Sequence, residues 1–194
     1  MRLPLALAAA ALVLAGCGGS STPSESTSSA APTQPAAMWA ISDCAQIAPP
    51  ASADAPPAES VEQDGVATTT IVGTAPAVGV SADAAPPAGL VTVDVVDGSG
   101  DAVAAGATVT VDYCGVGLDS GALFDSSWAR GQPATFPLDG VILGWQEGIP
   151  GMKPGGRRLL IIPGDLAYGP NPPPGSGIGP NETLVFVVDM LSSP

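Results

Sequence analysis

The stretch VILGWQEGIPGMKPGGRR, Val141 to Arg158, decides the fold. Val141, Ile142 and Trp145 fall at i, i+1 and i+4, which puts three apolar side chains on one side of a short helix. Asp139 is expected to cap the start of that helix and Gly148 to end it. Pro150, Pro154 and the neighbouring glycines forbid further helix, and Arg157 opens a β-like run, RRLLIIP. A helix of about two turns does not hold in water by itself, so the strands on either side must wrap it. Trp145 then becomes the floor of the concavity they form. Lys153, Arg157 and Arg158 read as a small solvated basic cluster at a turn.

The 194 residues suffice for one ordinary domain plus tails. The apolar fraction of 45% supports a core, although much of it is alanine, and with only 4% aromatics each ring is worth locating. A formal charge of −13 argues against nucleic acid and against an anionic membrane surface as partners. The chain has no histidine, which excludes Ser-His-Asp and Cys-His nucleophile systems and removes the commonest zinc ligand. No metal and no cofactor is expected.

Arg2 is a positive n-region, and Leu3 to Ala15 is an apolar run too short to span a bilayer. It ends in Leu14-Ala15-Gly16-Cys17, which resembles a bacterial lipobox. The resemblance implies that residues 1–16 are a lipoprotein signal peptide and that Cys17 is lipidated. The protein would then be exported and held on the outer face of the cell membrane by its lipid alone. A plain secretory signal with a chance cysteine is the alternative. Residues 17–37 are Ser, Thr, Pro, Ala and Gly with one charge, Glu25, and read as a disordered tether. Residues 38–88 form a Pro/Ala-rich extension expected to be partly ordered, with Met38, Trp39, Ile41 and Cys44 as its first packing material and TTTIVG as a plausible strand.

Residues 89–194 carry the clearest pattern. LVTVDVV alternates as a strand and Asp97-Gly98-Ser99-Gly100 turns it. In ATVTVDYCG, Val109, Val111 and Tyr113 face one way while Thr108, Thr110, Asp112 and Cys114 face the other. Pro133 to Leu138 is a short strand broken by Pro137, and TLVFVVDML is apolar on both faces, as a central strand should be. The expected class is α+β, a curved antiparallel sheet of about five strands wrapped around one short helix.

Five pieces, VTVDYCG, FDSSWARGQPATFPL, VILGWQEGIPGM, LAYG and LVFVVDML, resemble in order and spacing the FKBP-type peptidyl-prolyl cis-trans isomerases, here in the form of an actinobacterial-like envelope lipoprotein. The resemblance covers roughly Leu90 to Ser192. It implies an apolar cleft between helix and sheet, with Trp145 under the proline ring, Tyr168 donating a hydrogen bond to a substrate carbonyl, and Asp125 as the cleft's carboxylate. It also implies Tyr113, Phe124 and Phe186 as walls, Val141 and Ile142 as a helix start that meets the ligand, and Ile178 in a flap loop. Arg130 stands where the family often pairs an arginine with the carboxylate and buttresses the tyrosine. Ala134 stands where many members have a further aromatic, and Trp128 is expected to lean over the rim in its place.

Rotation about an X-Pro bond breaks no covalent bond, so it needs no nucleophile, acid–base pair or metal. The planar amide is more charge-separated than its twisted form, so an apolar cleft favours the twist. The implied function is isomerisation of X-Pro bonds in exported proteins by desolvation, with proline-containing polypeptides as partners, macrolides as inhibitors, and the protein acting as a monomer. A low-activity FKBP-like chaperone or peptide-binding lipoprotein is the alternative. With Cys17 lipidated, Cys44 and Cys114 form an even pair in an oxidising compartment, which suggests a disulfide. Such a bond would staple the start of the extension onto the sheet face opposite Tyr113; two free buried thiols are the alternative.

Overall fold

A computed structural model describes residues 39–193. The expected signal peptide, the lipidated Cys17 and the tether lie outside the described residues. The chain runs β1 (Trp39–Asp43), β2 (Ala51–Ala53), β3 (Ser60–Gln63), β4 (Val66–Thr69) and β5 (Ala77–Ser81). It continues with β6 (Val91–Val96), β7 (Thr108–Gly117), β8 (Leu123–Ser126), α1 (Ser127–Arg130), β9 (Ala134–Pro137), α2 (Leu143–Gly148), β10 (Arg157–Ile162) and β11 (Leu184–Ser192). Short 3-10 turns lie at Leu138–Gly140 and Gly164–Leu166. Among the described residues no helix is long and apolar enough to cross a membrane.

The second half is a six-stranded antiparallel sheet in the order β6-β10-β11-β7-β8, with β9 also pairing β7. The first half of β7 pairs β9 and the second half pairs β8, so one ten-residue strand serves two short partners and the sheet bends along it. Pro137 sits at the end of β9, which pairs on one side only, where a missing N–H costs no ladder bond. Period-two alternation sorts the side chains. Val109, Val111, Leu160, Ile162, Leu184, Phe186, Val188 and Met190 form an inner core with Trp145 and Ile149 of the α2 region. Gly144 and Gly148 let α2 lie close on β10, because a Cβ on Gly144 would stand 2.3 Å from the Ile162 side chain and one on Gly148 2.8 Å from that of Leu160.

The lead-in to α2 differs from the expectation that Asp139 caps it. Asp139 lies in the 3-10 turn, and the residue flanking α2 is Ile142, with no side-chain cap. Leu138 is fully buried and its N–H is held by the Ala107 carbonyl at 3.0 Å, which anchors the turn three residues early. Val141 and Ile142 are consequently extended rather than helical, and Gln146 Nε2 closes the lead-in on the Val141 carbonyl at 2.8 Å.

The two arginines expected in a solvated cluster are not solvated. All of β10 is buried, Arg157 completely. Arg157 Nε and Nη2 donate to the two oxygens of Asp189, its partner across β11, at 2.6 and 2.9 Å. Arg158 makes the same forked pair with Asp94 of β6, at 2.7 and 3.0 Å, and its Nη1 reaches the Gly148 carbonyl at 2.7 Å, satisfying the end of α2. The partners lie 32 and 64 residues away, out of reach of local pattern reading.

Residues 39–81 form a second antiparallel sheet, in the order β2-β1-β5-β4-β3. Its strands are only three to five residues long and rich in Ala, Ser, Thr and Gly, which leaves little alternation to read. Val66, Val78, Val80 and Cys44 pack on Cys114, Val116, Leu159, Ile161, Val185 and Val187, the outer face of the larger sheet. Cys44 and Cys114 are joined in a disulfide across a separation of 70 residues. Beside it, Arg157 Nη1 and Nη2 donate to the Thr69 and Thr74 carbonyls at 2.9 and 2.7 Å, and Asp189 accepts from the Gly73 N–H at 2.8 Å. Replacing Asp189 by Ala leaves a buried guanidinium without its counter-charge, and the expected loss is about 3 kcal/mol in urea unfolding. A midpoint unchanged from wild type would show that the Thr69 and Thr74 carbonyls alone satisfy Arg157.

Candidate active site

Between α2 and the concave face of the sheet lies an open cavity of about 250 Å³. Its floor is Trp145, 4% exposed. Three rings meet the indole at steep angles: Tyr113 at 5.6 Å between centroids, Phe186 at 5.3 Å and Phe136 at 5.3 Å. Phe124 meets Phe186 edge-on at 5.5 Å. These are the tilts that aromatic quadrupoles favour, so the rings hold one another upright around the gap. Gly115 makes the arrangement possible, since a Cβ there would sit 2.5 Å from the Phe124 ring and 2.8 Å from that of Phe186.

One wall carries charge. The Tyr113 hydroxyl donates to Asp125 Oδ2 at 2.5 Å, Arg130 Nη1 pairs with Asp125 Oδ1, and Arg130 Nη2 donates to the Tyr113 oxygen at 2.9 Å. The guanidinium carbon also stands 5.3 Å from the Tyr113 ring centre. The carboxylate is thus neutralised and hydrogen-bonded, as a charge bordering an apolar space must be. Three segments deliver the triad: β7 brings Tyr113, β8 brings Asp125 and the single turn of α1 brings Arg130.

Tyr168 stands at the mouth, 38% exposed, just after the 3-10 turn at Gly164–Leu166. Gly169, at φ +58°, reverses the chain behind it and bonds back to the Gly164 carbonyl at 2.8 Å. Both phenols are held above the usual tyrosine range. Tyr113 is pushed up to about 12, first by burial and then by its bond to Asp125. Tyr168 is raised by burial and by the negative charge of Asp125.

Of the residues singled out in the sequence, Tyr113, Phe124, Asp125, Val141, Ile142, Trp145, Tyr168 and Phe186 line this one cavity, and Arg130 supports its wall. Ile178 packs against the inner core instead of lining the cavity. Trp128 does not lean over the rim. It packs on the outer cluster, with the Arg157 guanidinium 5.8 Å from its ring centre. The reason is angular: Trp128 and Arg130 are two apart on α1, roughly 200° around the helix, so they point to opposite sides. The fuller wall near Ala134 comes from Phe136, which sequence reading missed. Strand alternation was the available signal, since Ala134 and Phe136 are both half-buried and Thr135 and Pro137 exposed. Gly140 also lines the cavity, and beyond it a Cβ would meet only Pro137, at 3.7 Å.

The profile of the FKBP-type peptidyl-prolyl cis-trans isomerases matches residues 100–191. A probable FK506-binding protein of Corynebacterium glutamicum is 52% identical over 108 residues, which is 55% of this chain and 89% of that protein. An FK506-binding protein of Streptomyces anulatus is 50% identical over 109 residues, 55% of this chain and 88% of that one. Among solved structures, FkpA from Escherichia coli superposes with a TM-score of 0.52 at 41% identity, over 68% of this chain and 53% of its own. The profile match includes the segments that build the aromatic cavity. The chain belongs to the FKBP-type peptidyl-prolyl cis-trans isomerase family and is an isomerase of the bond preceding proline.

Proposed function

We propose that this isomerase turns X-Pro bonds of exported polypeptides by moving them from water into the aromatic cavity, working as a monomer tethered to the outer face of the membrane through a lipid on Cys17. The observation that carries the mechanism is the chemistry of the lining. Trp145, Phe136, Phe186, Val141 and Ile142 offer no hydrogen bond to a substrate amide except through backbone or the indole N–H. A planar amide, with its larger charge separation, loses more solvation in such a space than a twisted one does. Against a barrier near ~20 kcal/mol, each ~1.4 kcal/mol of that difference gives about tenfold in rate.

Tyr168 is the side chain fitted to receive the twisted carbonyl. Its phenol faces the cavity, and the interactions that act on it among the described residues are burial and the charge of Asp125, with no hydrogen bond to protein. Asp125 is occupied by Tyr113 and Arg130, so its part is to orient the wall rather than to exchange protons. The same lining suits an apolar macrolide, which would act as a competitor. The leader ending in Leu14-Ala15-Gly16-Cys17 supports export and anchoring.

In a protease-coupled assay on an X-Pro peptide the wild-type chain is expected to accelerate isomerisation. Tyr168→Phe is expected to reduce kcat/KM about fivefold, the worth of one ~1 kcal/mol hydrogen bond. Wild-type rates in that variant would remove the phenol from the mechanism, and peptide binding without turnover in the wild type would favour the chaperone reading. The rate should also stay flat with pH across the neutral range. A phenol whose folded pKa is raised stays protonated, and so a donor, below the ordinary tyrosine value near ~10, and is lost only as pH climbs through the raised one. The stability that protonated Tyr113 contributes is present below ~10 and falls away as pH passes about 12. A rate that titrates near neutrality would contradict this assignment. Cys17→Ala, expressed with its leader, should release the protein from the membrane fraction; retention there would remove the lipid anchor.

A further inference from the structure

We infer that Ser126, backed by the N-terminal sheet, is a positioning residue for the Arg130 clamp, so that residues 39–81 are a working part of the active site. This rests on the isomerase reading above and extends it. Ser126 is completely buried, follows Asp125 in β8, and lies directly across from Cys114 of β7. Its Oγ donates to the Cys44 carbonyl of the N-terminal sheet at 2.7 Å and accepts the Ala129 N–H at 3.2 Å, which caps α1. The Cys44 carbonyl is itself fixed, by the disulfide to Cys114 and by its own N–H on the Pro76 carbonyl at 3.0 Å. The far side of α1 is held from the same sheet. Trp128 packs beside Arg157, whose Nη1 and Nη2 are bonded to the Thr69 and Thr74 carbonyls.

A single helical turn has no stability of its own, so α1 stands where these two handles hold it together with Ser127, whose buried Oγ accepts the Tyr113 N–H at 2.9 Å and donates to Asp112 Oδ1 at 2.7 Å. Arg130, its last residue, is 39% exposed on its side chain. A half-exposed ion pair on a long side chain contributes little unless the backbone beneath it is fixed. Loosening the Ser126 handle would therefore let Arg130 drift from Asp125 and from the Tyr113 phenol while every atom lining the cavity stays present. The expected signature is a loss in turnover with substrate binding nearly kept.

The test compares two full-length variants, each missing one buried hydroxyl that ties the N-terminal sheet to the rest. Ser126→Ala removes the handle on α1. Ser42→Ala removes a bond of the same kind, Ser42 Oγ to the Gly121 carbonyl at 2.7 Å, at the turn between β7 and β8 and with no bond to α1. Ser126→Ala is expected to lower kcat at least threefold with KM within twofold, and to shift the ring resonances of Tyr113 at neutral pH; the chain has only two tyrosines. Ser42→Ala is expected to keep wild-type kcat and wild-type Tyr113 signals. Equal losses in both variants, or wild-type kcat and unmoved Tyr113 signals in Ser126→Ala, would overturn the proposal. If Ser126→Ala does not fold, the double variant Cys44→Ala/Cys114→Ala carries the same comparison, since it removes one of the two restraints on the carbonyl that Ser126 holds. A wild-type chain that fails to turn over X-Pro peptides defeats the isomerase reading, and the Tyr113 signals still decide the positioning role.

Discussion

A sheet that is apolar on both faces has to be covered on both, and that requirement organises this molecule. In β11 the residues from Leu184 to Met190 are all buried, and so is every residue of β10. Even positions of β11 point toward α2 and odd positions Val185 and Val187 point away from it. One short helix closes the first side. The second side takes five small strands, a disulfide and a buried Arg157–Asp189 pair. The aromatic cavity is where the first covering is left incomplete, because α2 has about two turns and cannot span the sheet's full width.

That incompleteness is what makes the surface useful. Rings that would otherwise interlock into a dry core are propped apart at steep angles over Trp145, and the one carboxylate nearby is quenched by Tyr113 and Arg130. The cavity is therefore apolar in effect although a charge borders it. Catalysis of bond rotation asks for that kind of environment and for one donor, Tyr168, at the mouth.

Much of this was legible from residue order. The alternation in β7, the apolar β11, the placement of Trp145 and the segments bearing Tyr113, Asp125, Arg130 and Tyr168 all follow from short-range pattern and family likeness. What escaped was non-local or angular. Arg157 and Arg158 looked solvated because their carboxylates arrive from strands far along the chain. Trp128 looked like a pocket residue because its neighbours are, yet its place on α1 turns it to the far side. The N-terminal sheet was read only in part: its Cys44–Cys114 staple was expected, the pairing of its five strands was not. Its strands are too short and too small-featured to announce themselves, although the two-sided apolarity of β11 already demanded a second cover.

The outer cluster of Leu159, Ile161, Val185 and Val187 has a bearing on modularity. Families of this kind invite the view that the catalytic half is a detachable cassette and the rest decoration. Here a chain cut ahead of β6 would put a bare aliphatic stripe and the Arg157–Asp189 pair into water, inviting self-association long before the aromatic gap met a peptide. For this protein the natural unit of engineering is both sheets together.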